Sequence, residues 1–221
     1  MSEPLVVIAD DHPLFRTALK QAVLECIEQP VILEADNFGD LISRIEHNRS
    51  LEIVFLDLHM PGNNGFTGLT QLQNHYPDLI VIMVSSDNTP EIMQTSIDFG
   101  AAAFIPKSSD LKTISAAIEC VLNGSIWLPE TMELSQKQKN TKKNQLLAEQ
   151  LAQLTPQQYT VLTMIADGQL NKQIAYELEI KETTVKKHVS AILTKLKVNN
   201  RTLAGLAYQQ LKLTPDENSE V

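Results

Sequence analysis

Strand-like and helix-like segments alternate with strict regularity over the first 128 residues, and no other feature limits the fold as tightly. Apolar runs stand at Leu5–Ala9, Val31–Leu33, Ile53–Leu56, Leu79–Val84 and Ala103–Ile105. Helical patterns lie between them, at Pro13–Ile27, Phe38–His47, Phe66–His75, Pro90–Phe99 and Asp110–Asn123. Pro13 and Pro90 suit first helical turns, and Gly100 and Gly124 suit helix ends. Runs such as Ile53-Val54-Phe55-Leu56 lack polar alternation, which predicts strands covered on both faces. Short loops between alternating β and α segments demand a parallel sheet with helices on both sides. The expected architecture is a doubly wound α/β domain around a five-stranded parallel sheet, flavodoxin-like in its order 2-1-3-4-5.

The pattern breaks after residue 128. Residues 129–153 read as a partly helical linker, with a polar, lysine-rich stretch at Gln136–Gln145 that reads as solvated chain. Leu147, Leu151 and Leu154 then fall on one helical stripe able to dock on either domain. Residues 154–212 are wholly helical in texture. Thr155-Pro156 is a cap followed by a first-turn proline. Val161, Leu162, Ile165 and Ala166 make one apolar face, and Asn171 is expected to cap a short helix through Leu178. Longer helices are expected at Glu182–Leu196 and Arg201–Leu211. A short helix, a tight turn and a helix bearing cations form a small all-α helix-turn-helix domain. Residues 213–221 form an acidic tail expected to be disordered.

Charge follows the same division. The net charge of −9 averages two unlike halves: residues 1–128 hold 17 acidic against 6 basic side chains, a net of −11, whereas residues 155–212 hold 4 against 8, a net of +4. Only the second half suits a polyanion such as DNA. No apolar run approaches the roughly 20 residues that span a bilayer. The start, Met1-Ser2-Glu3-Pro4, is acidic rather than a basic leader, so a cytoplasmic protein without membrane partners is expected. Cys26 and Cys120 sit in apolar helical surroundings and read as buried free thiols rather than a disulfide.

The chemistry gathers at strand ends. Asp10 and Asp11 end the first strand, and Asp57 ends the third. In the order 2-1-3-4-5 these strands are neighbours at the switch point, which brings three carboxylates into one pocket. Such crowding is costly unless a cation neutralises it, and hard oxygen ligands select Mg2+ or Mn2+. Ser85 and Lys107 end the fourth and fifth strands. A hydroxyl, an ammonium and a divalent ion around a carboxylate form a cage for a phosphoryl group, with Asp57 as nucleophile. Each residue alone reads more simply: an Asp as a cap or turn residue, Ser85 as a strand-end hydroxyl, Lys107 as a surface lysine.

Asp10-Asp11, then Asp57-x-x-Met60-Pro61-x-x-x-Gly65, then Ser85, then Phe104 and Lys107, resembles the receiver domain of bacterial response regulators. The resemblance implies that Asp57 accepts phosphate from a histidine kinase. It also implies Mg2+ held by Asp11, Asp57 and the backbone carbonyl of His59, with Asp10 acting through water. Ser85 and Lys107 would take the phosphoryl oxygens, and Phe104 would be the aromatic switch that reports on Ser85. The family often places a proline in a cis peptide after the lysine. Here Ser108 follows Lys107 and Pro106 precedes it, which leaves that geometry open.

In the helical half, Lys186, Lys187 and Ser190 lie opposite the apolar face of Val185, Val189, Ile192, Leu193 and Leu196. A solvated face would explain a lone Lys-Lys pair, and a surface position would explain His188. The surrounding string is denser: Leu154-Thr155-Pro156, Gly168 to Ala175, Thr184 to Val189, Ile192 to Leu196, and Asn200-Arg201-Thr202 are similar to the LuxR-type DNA-binding domain. Together the two resemblances identify the chain as a member of the NarL/FixJ class of two-component response regulators. They imply that Lys186, Lys187 and Ser190 face bases, while Asn171, Lys172, Thr184, His188 and Arg201 meet phosphates or support the contact. A homodimer on double-stranded DNA would form through the last helix, with Leu203, Leu206, Ala207 and Gln210 at the interface. In the usual scheme the unphosphorylated domains pack together and hide the recognition helix.

Two other readings remain open at this point. A Mg2+-dependent phosphatase of the haloacid-dehalogenase type needs a second Asp two places after the nucleophile, and His59 stands there. That leaves at most self-phosphorylation from a phosphodonor and slow autodephosphorylation. A regulator of the same fold could instead answer to a bound partner or ligand.

Overall fold

The computed structural model describes residues 4–129 and 138–212. The acidic tail and the start of the polar linker lie outside the described residues. Strands β1 (Leu5–Ala9), β2 (Val31–Ala35), β3 (Leu51–Asp57), β6 (Ile80–Ser85) and β7 (Ala103–Pro106) form one parallel sheet in the order β2-β1-β3-β6-β7. Counted within that sheet, the order is the expected 2-1-3-4-5. Two short strands, β4 (His59–Met60) and β5 (Asn63–Asn64), pair antiparallel just past Asp57 and form a small ribbon. Helices α1 (Pro13–Cys26), α2 (Phe38–His47), α3 (Thr67–His75), α4 (Pro90–Asp98) and α5 (Leu111–Leu122) connect the strands.

Local chemistry fixes most helix ends. Asn37, Thr89 and Asp110 cap α2, α4 and α5, each side chain accepting from a backbone N–H in the first turn. Each such cap stabilises its helix by about 1 kcal/mol. Gly100 and Gly124 follow α4 and α5 at φ of 96° and 75°, a left-handed geometry that an L side chain resists.

Along the strands, side chains alternate between two apolar layers. Val6, Ile8, Ile53, Phe55, Ile82 and Val84 pack with Leu19 and Val23 of α1 and Ile114 and Ile118 of α5. Val7, Val54, Leu56, Val81 and Met83 face the other side, with Leu41, Leu69, Leu72 and Met93. That second layer does not end at the first domain. It continues through Leu147, Leu151 and Leu154 into Tyr159, Leu162, Val185, Ile192 and Tyr208 of the helical half. The stripe of Leu147, Leu151 and Leu154 thus joins the two halves, and the helical half completes a face of the first domain.

The remaining helices are α6 (Gln138–Ala152), α7 (Pro156–Ala166), α8 (Asn171–Glu177), α9 (Glu182–Lys195) and α10 (Arg201–Gln209). Thr155 and Gln158 close a capping box at the start of α7. The polar stretch expected as solvated chain is helical from residue 138, because α4 gives it partners. Asn144 Nδ2 donates to Thr95 Oγ1 at 3.3 Å and Gln145 Nε2 to Asp98 Oδ1 at 3.4 Å. Asn171 is the first residue of α8 rather than its cap; its side-chain oxygen accepts from Arg201 instead, at 2.9 Å. Cys26 and Cys120 are free but only half-buried, lying in the last turns of α1 and α5 with their thiols near the carbonyls of Ser115 and Ile126. No helix among the described residues is long and apolar enough to cross a membrane.

Candidate phosphoacceptor site and DNA-binding face

The sheet order places the ends of β1 and β3 side by side, and with them Asp10 and Asp57. Both carboxylates are buried, at 0% and 1% exposure, while Asp11 is exposed at the rim. Lys107 reaches across from the end of β7, its Nζ 2.8 Å from Asp57 Oδ2 and 2.8 Å from Asp10 Oδ2. The contact with Asp57 has hydrogen-bond geometry; the contact with Asp10 Oδ2 is one of charge alone. Asp57 Oδ1 also accepts from the backbone N–H of His59 at 3.2 Å. Burial pushes the Asp57 carboxyl above its ordinary value, and the hydrogen bond and charge of Lys107 oppose that shift only in part.

Ser85 is fully buried at the end of β6, and its hydroxyl accepts from Asp87 N at 3.0 Å. Phe104, one strand over, is also fully buried. Among the described residues no peptide bond is cis, so Lys107–Ser108 is trans.

The donor set fits a hard divalent cation. Asp10, Asp11, Asp57 and His12 each offer an atom within 4.8 Å of the others. One ammonium cannot satisfy three clustered carboxylates, and Asp10 Oδ2 is enclosed without a hydrogen bond. Mg2+ or Mn2+ suits such oxygen ligands. His12 is a neighbour that sequence reasoning passed over: its Nδ1 lies 2.7 Å from Asp11 Oδ1 and 3.1 Å from Lys107 Nζ. Its position directly after Asp10-Asp11 was the available signal.

Asn63 was also missed, having only its place in a turn-rich stretch to mark it. It is 7% exposed and donates to the backbone oxygens of Asp57 at 2.8 Å and Leu58 at 3.3 Å.

In the helical half, α9 turns Val185 and Ile192 inward and leaves Lys186, Lys187 and Ser190 exposed. Lys186 pairs with Glu182 one turn back at 3.0 Å, and Lys172 is exposed on α8. Thr184 and Arg201 are half-buried, and Arg201 bonds to Asn171 and to the carbonyl of Gln169. His188 Nε2 is enclosed with no hydrogen-bond partner, so the ring is turned toward the domain rather than out. On α10, Leu203, Leu206 and Gln210 are exposed and Ala207 is half-buried.

The two halves meet where α3 and α4 of the first pack against α6 and α7 of the second. Tyr159 of α7 is 1% exposed, and its hydroxyl lies 2.7 Å from Thr70 Oγ1 of α3. Asn74 of α3 donates to the carbonyls of Leu151 at 3.1 Å and Leu154 at 2.8 Å. Phe66 N, just before α3, donates to Leu211 O at 2.8 Å. Tyr208 stacks edge-on to Tyr159, and burial raises its phenol to about 12. This docking uses α7 and the end of α10, and the outer face of α9 stays in solvent. Concealment of the recognition helix, as in the usual scheme, is therefore not what these contacts produce.

Comparison with known proteins decides the family. Residues 6–119 match the response regulator receiver domain, and residues 152–206 match the luxR family of bacterial regulatory proteins. The chain belongs to the response-regulator family. Its arrangement is that of the NarL/FixJ class, a receiver followed by a LuxR-type DNA-binding domain. Over 213 residues the regulator is 39% identical to the glycerol metabolism activator of Pseudomonas putida, covering 95% of this chain and 96% of that protein. It is 29% identical to the nitrate/nitrite response regulator NarL of Escherichia coli K12, over 94% of this chain and 96% of the relative. The RcsB response regulator of Salmonella typhimurium shares the fold at 24% identity, with a TM-score of 0.55 over 95% of this chain and 99% of its own. A structure of two RcsB dimers bound to two parallel DNAs is 25% identical, with a TM-score of 0.55 over 95% of this chain and 99% of that one.

Proposed function

We propose that phosphorylation of Asp57 by a histidine kinase controls sequence-specific DNA binding and transcription through α9. The observation that carries this reading is the pairing of a buried Asp57 with Lys107 at 2.8 Å, beside Asp10 at the mouth of the sheet. An Asp57 oxygen attacks the phosphorus of a phosphohistidine; the P–N bond breaks and the imidazole leaves with a proton. Asp10, Asp11, Asp57 and the His59 carbonyl would hold Mg2+ or Mn2+, which offsets charge on the phosphoryl oxygens when bound. Lys107 already touches Asp57 and transfers its contact to a phosphoryl oxygen. Ser85 gives up its bond from Asp87 N and donates to another, and Phe104 fills the space behind it.

The position two places after Asp57 supplies no general acid for turnover, since His59 is exposed on the ribbon and its backbone N–H, not its ring, meets the carboxylate. The aspartyl phosphate is therefore a stored signal that hydrolyses slowly, not a step in catalysis on outside substrates. About two negative charges are added at the site, and they shift the domain arrangement rather than simply uncover α9, whose cations are already exposed. Lys186, Lys187 and Ser190 enter the major groove, Lys172 and Thr184 meet the backbone, and Asn171, Arg201 and His188 hold the helices in register. Leu203, Leu206, Ala207 and Gln210 form the homodimer contact; the RcsB dimers on DNA are a precedent for such an assembly. A kinase and DNA as partners place the protein in the cytoplasm.

The test is DNA affinity and oligomer size with and without beryllofluoride and Mg2+. The expected result is tighter binding and a shift toward dimer with both present. Identical affinity and size in both conditions would refute phosphate control and favour a partner- or ligand-controlled regulator.

A further inference from the structure

The side chain of Asn63 holds four bonds in a nearly dry place. Its amide nitrogen donates to Asp57 O and Leu58 O, and its oxygen accepts from Gly68 N at 2.8 Å and shares the Thr67 hydroxyl, at 3.3 Å, with Asn64 O at 2.9 Å. The approach to α3 is close enough to require glycine there: a Cβ on Gly68 would stand 2.6 Å from Asn63 Oδ1 and 2.8 Å from the Phe38 ring. The same first turn of α3 is held from the other side by the effector domain. Tyr159 lies 2.7 Å from Thr70 Oγ1 and 3.4 Å from Thr67 O. Thr70 directs its hydroxyl to the carbonyls of Phe66 and Thr67, at 3.0 and 3.1 Å, so its lone pair receives the Tyr159 proton. Phe66 N meets Leu211 O alongside, and a cleft of about 330 Å³ lined by Asn63, Thr67 and Tyr208 separates the ribbon from α7 and α10.

We propose that Asn63 is a positioning residue whose bonds, continued through Thr67, Thr70 and Tyr159, couple the Asp57 loop to domain docking without passing through Ser85 or Phe104. The inference rests on Asp57 being the phosphoacceptor. Asn63 has no spare donor or acceptor geometry, so a shift of the Asp57 and Leu58 carbonyls must move α3 or break a buried bond. Moving the first turn of α3 displaces Tyr159 and Leu211, the two effector groups that bond to it. Linkage runs both ways: if the occupied Asp57 site loosens docking, weakened docking must tighten binding at Asp57.

The experiment uses the full chain and beryllofluoride with Mg2+, followed by calorimetric titration. Tyr159→Phe and Thr70→Val each remove one side of the central bond with little change of shape. Each should raise beryllofluoride affinity by about fivefold or more, and the double variant should gain no more than either alone, since both delete the same bond. In an Asn63→Asp background, which keeps the acceptor but loses the donor to Asp57, Tyr159→Phe should no longer change the affinity. Hydrogen exchange at Phe66 N–H should quicken on beryllofluoride addition in the wild type and not in Asn63→Asp.

An effect of Tyr159→Phe that persists undiminished in Asn63→Asp would overturn the coupling, leaving Tyr159 a packing residue. Wild-type binding with no response to Tyr159→Phe or Thr70→Val would overturn it too. A wild-type chain that fails to bind beryllofluoride at all would instead remove the reading of Asp57 on which the coupling depends.

Discussion

Burial makes the charged form of the Asp57 carboxyl costly. Burial raises its pKa above the ordinary 3.8 more than Lys107 lowers it, so folding shifts the balance toward the protonated form relative to the unfolded chain. A raised carboxyl pKa gives stability that is present below the unfolded value and lost as pH rises through the folded value. The metal-free chain therefore loses that contribution as pH rises from acid toward neutral. Asp57→Asn should raise its melting temperature at pH 7, by about 2–4 °C per kcal/mol relieved. That gain should shrink as pH falls toward 3.8. Calorimetric melts of both proteins across that range check the sign; a variant less stable than wild type at pH 7 would mean that the Lys107 pair outweighs burial. At this scale the sequence was informative where side chains carry charge. Asp10, Asp57 and Lys107 sit at strand ends, so strand assignment alone brings them together. Asn63 was not legible, because its role lies in backbone carbonyls that no residue pattern encodes.

At the scale of elements, the alternation of apolar runs and capped helices carried the receiver almost entirely, since β1, β3, β6 and β7 hold their apolar runs buried between two layers of helices. The linker was read less well. Polar composition predicts solvated chain, yet α6 is helical from residue 138 because α3 and α4 supply tertiary partners that propensity cannot foresee. Asn74 donates to two carbonyls at the end of that helix, of Leu151 and Leu154. Removing both bonds should cost about 1–2 kcal/mol. Asn74→Ala should therefore speed amide exchange in α6 about tenfold, with β1 and β3 unaffected. Exchange that is unchanged in α6 would show that the helix is held by Leu147 and Leu151 alone.

Across the whole molecule, one apolar layer runs from the sheet through α6 into the effector, while the cations of α9 and the apolar outer face of α10 remain in solvent. The docking surface and the proposed DNA face on α9 are separate, so the proposed control would act through the relative placement of domains and protomers rather than through access to α9. Sequence could not show this, because which face of α7 meets the receiver depends on Tyr159, which looks like any core aromatic. The exposed Lys186 should neutralise DNA charge in either state. Lys186→Ala should weaken binding and reduce the slope of log affinity against log salt by about 1, as read by anisotropy over a salt series. An unaltered slope would exclude it as a phosphate neutraliser, though not as a reader of bases.

The most direct test of phosphate control combines the two ends of the molecule in one titration. Operator fragments selected from random-sequence DNA would be bound by the wild type and by Asp57→Asn, each before and after treatment with a small phosphodonor and Mg2+, with the intact mass recorded alongside. The account predicts one added phosphoryl group and at least about fivefold tighter binding for the wild type, and neither change for Asp57→Asn. Equal enhancement of DNA binding in the two proteins would contradict it.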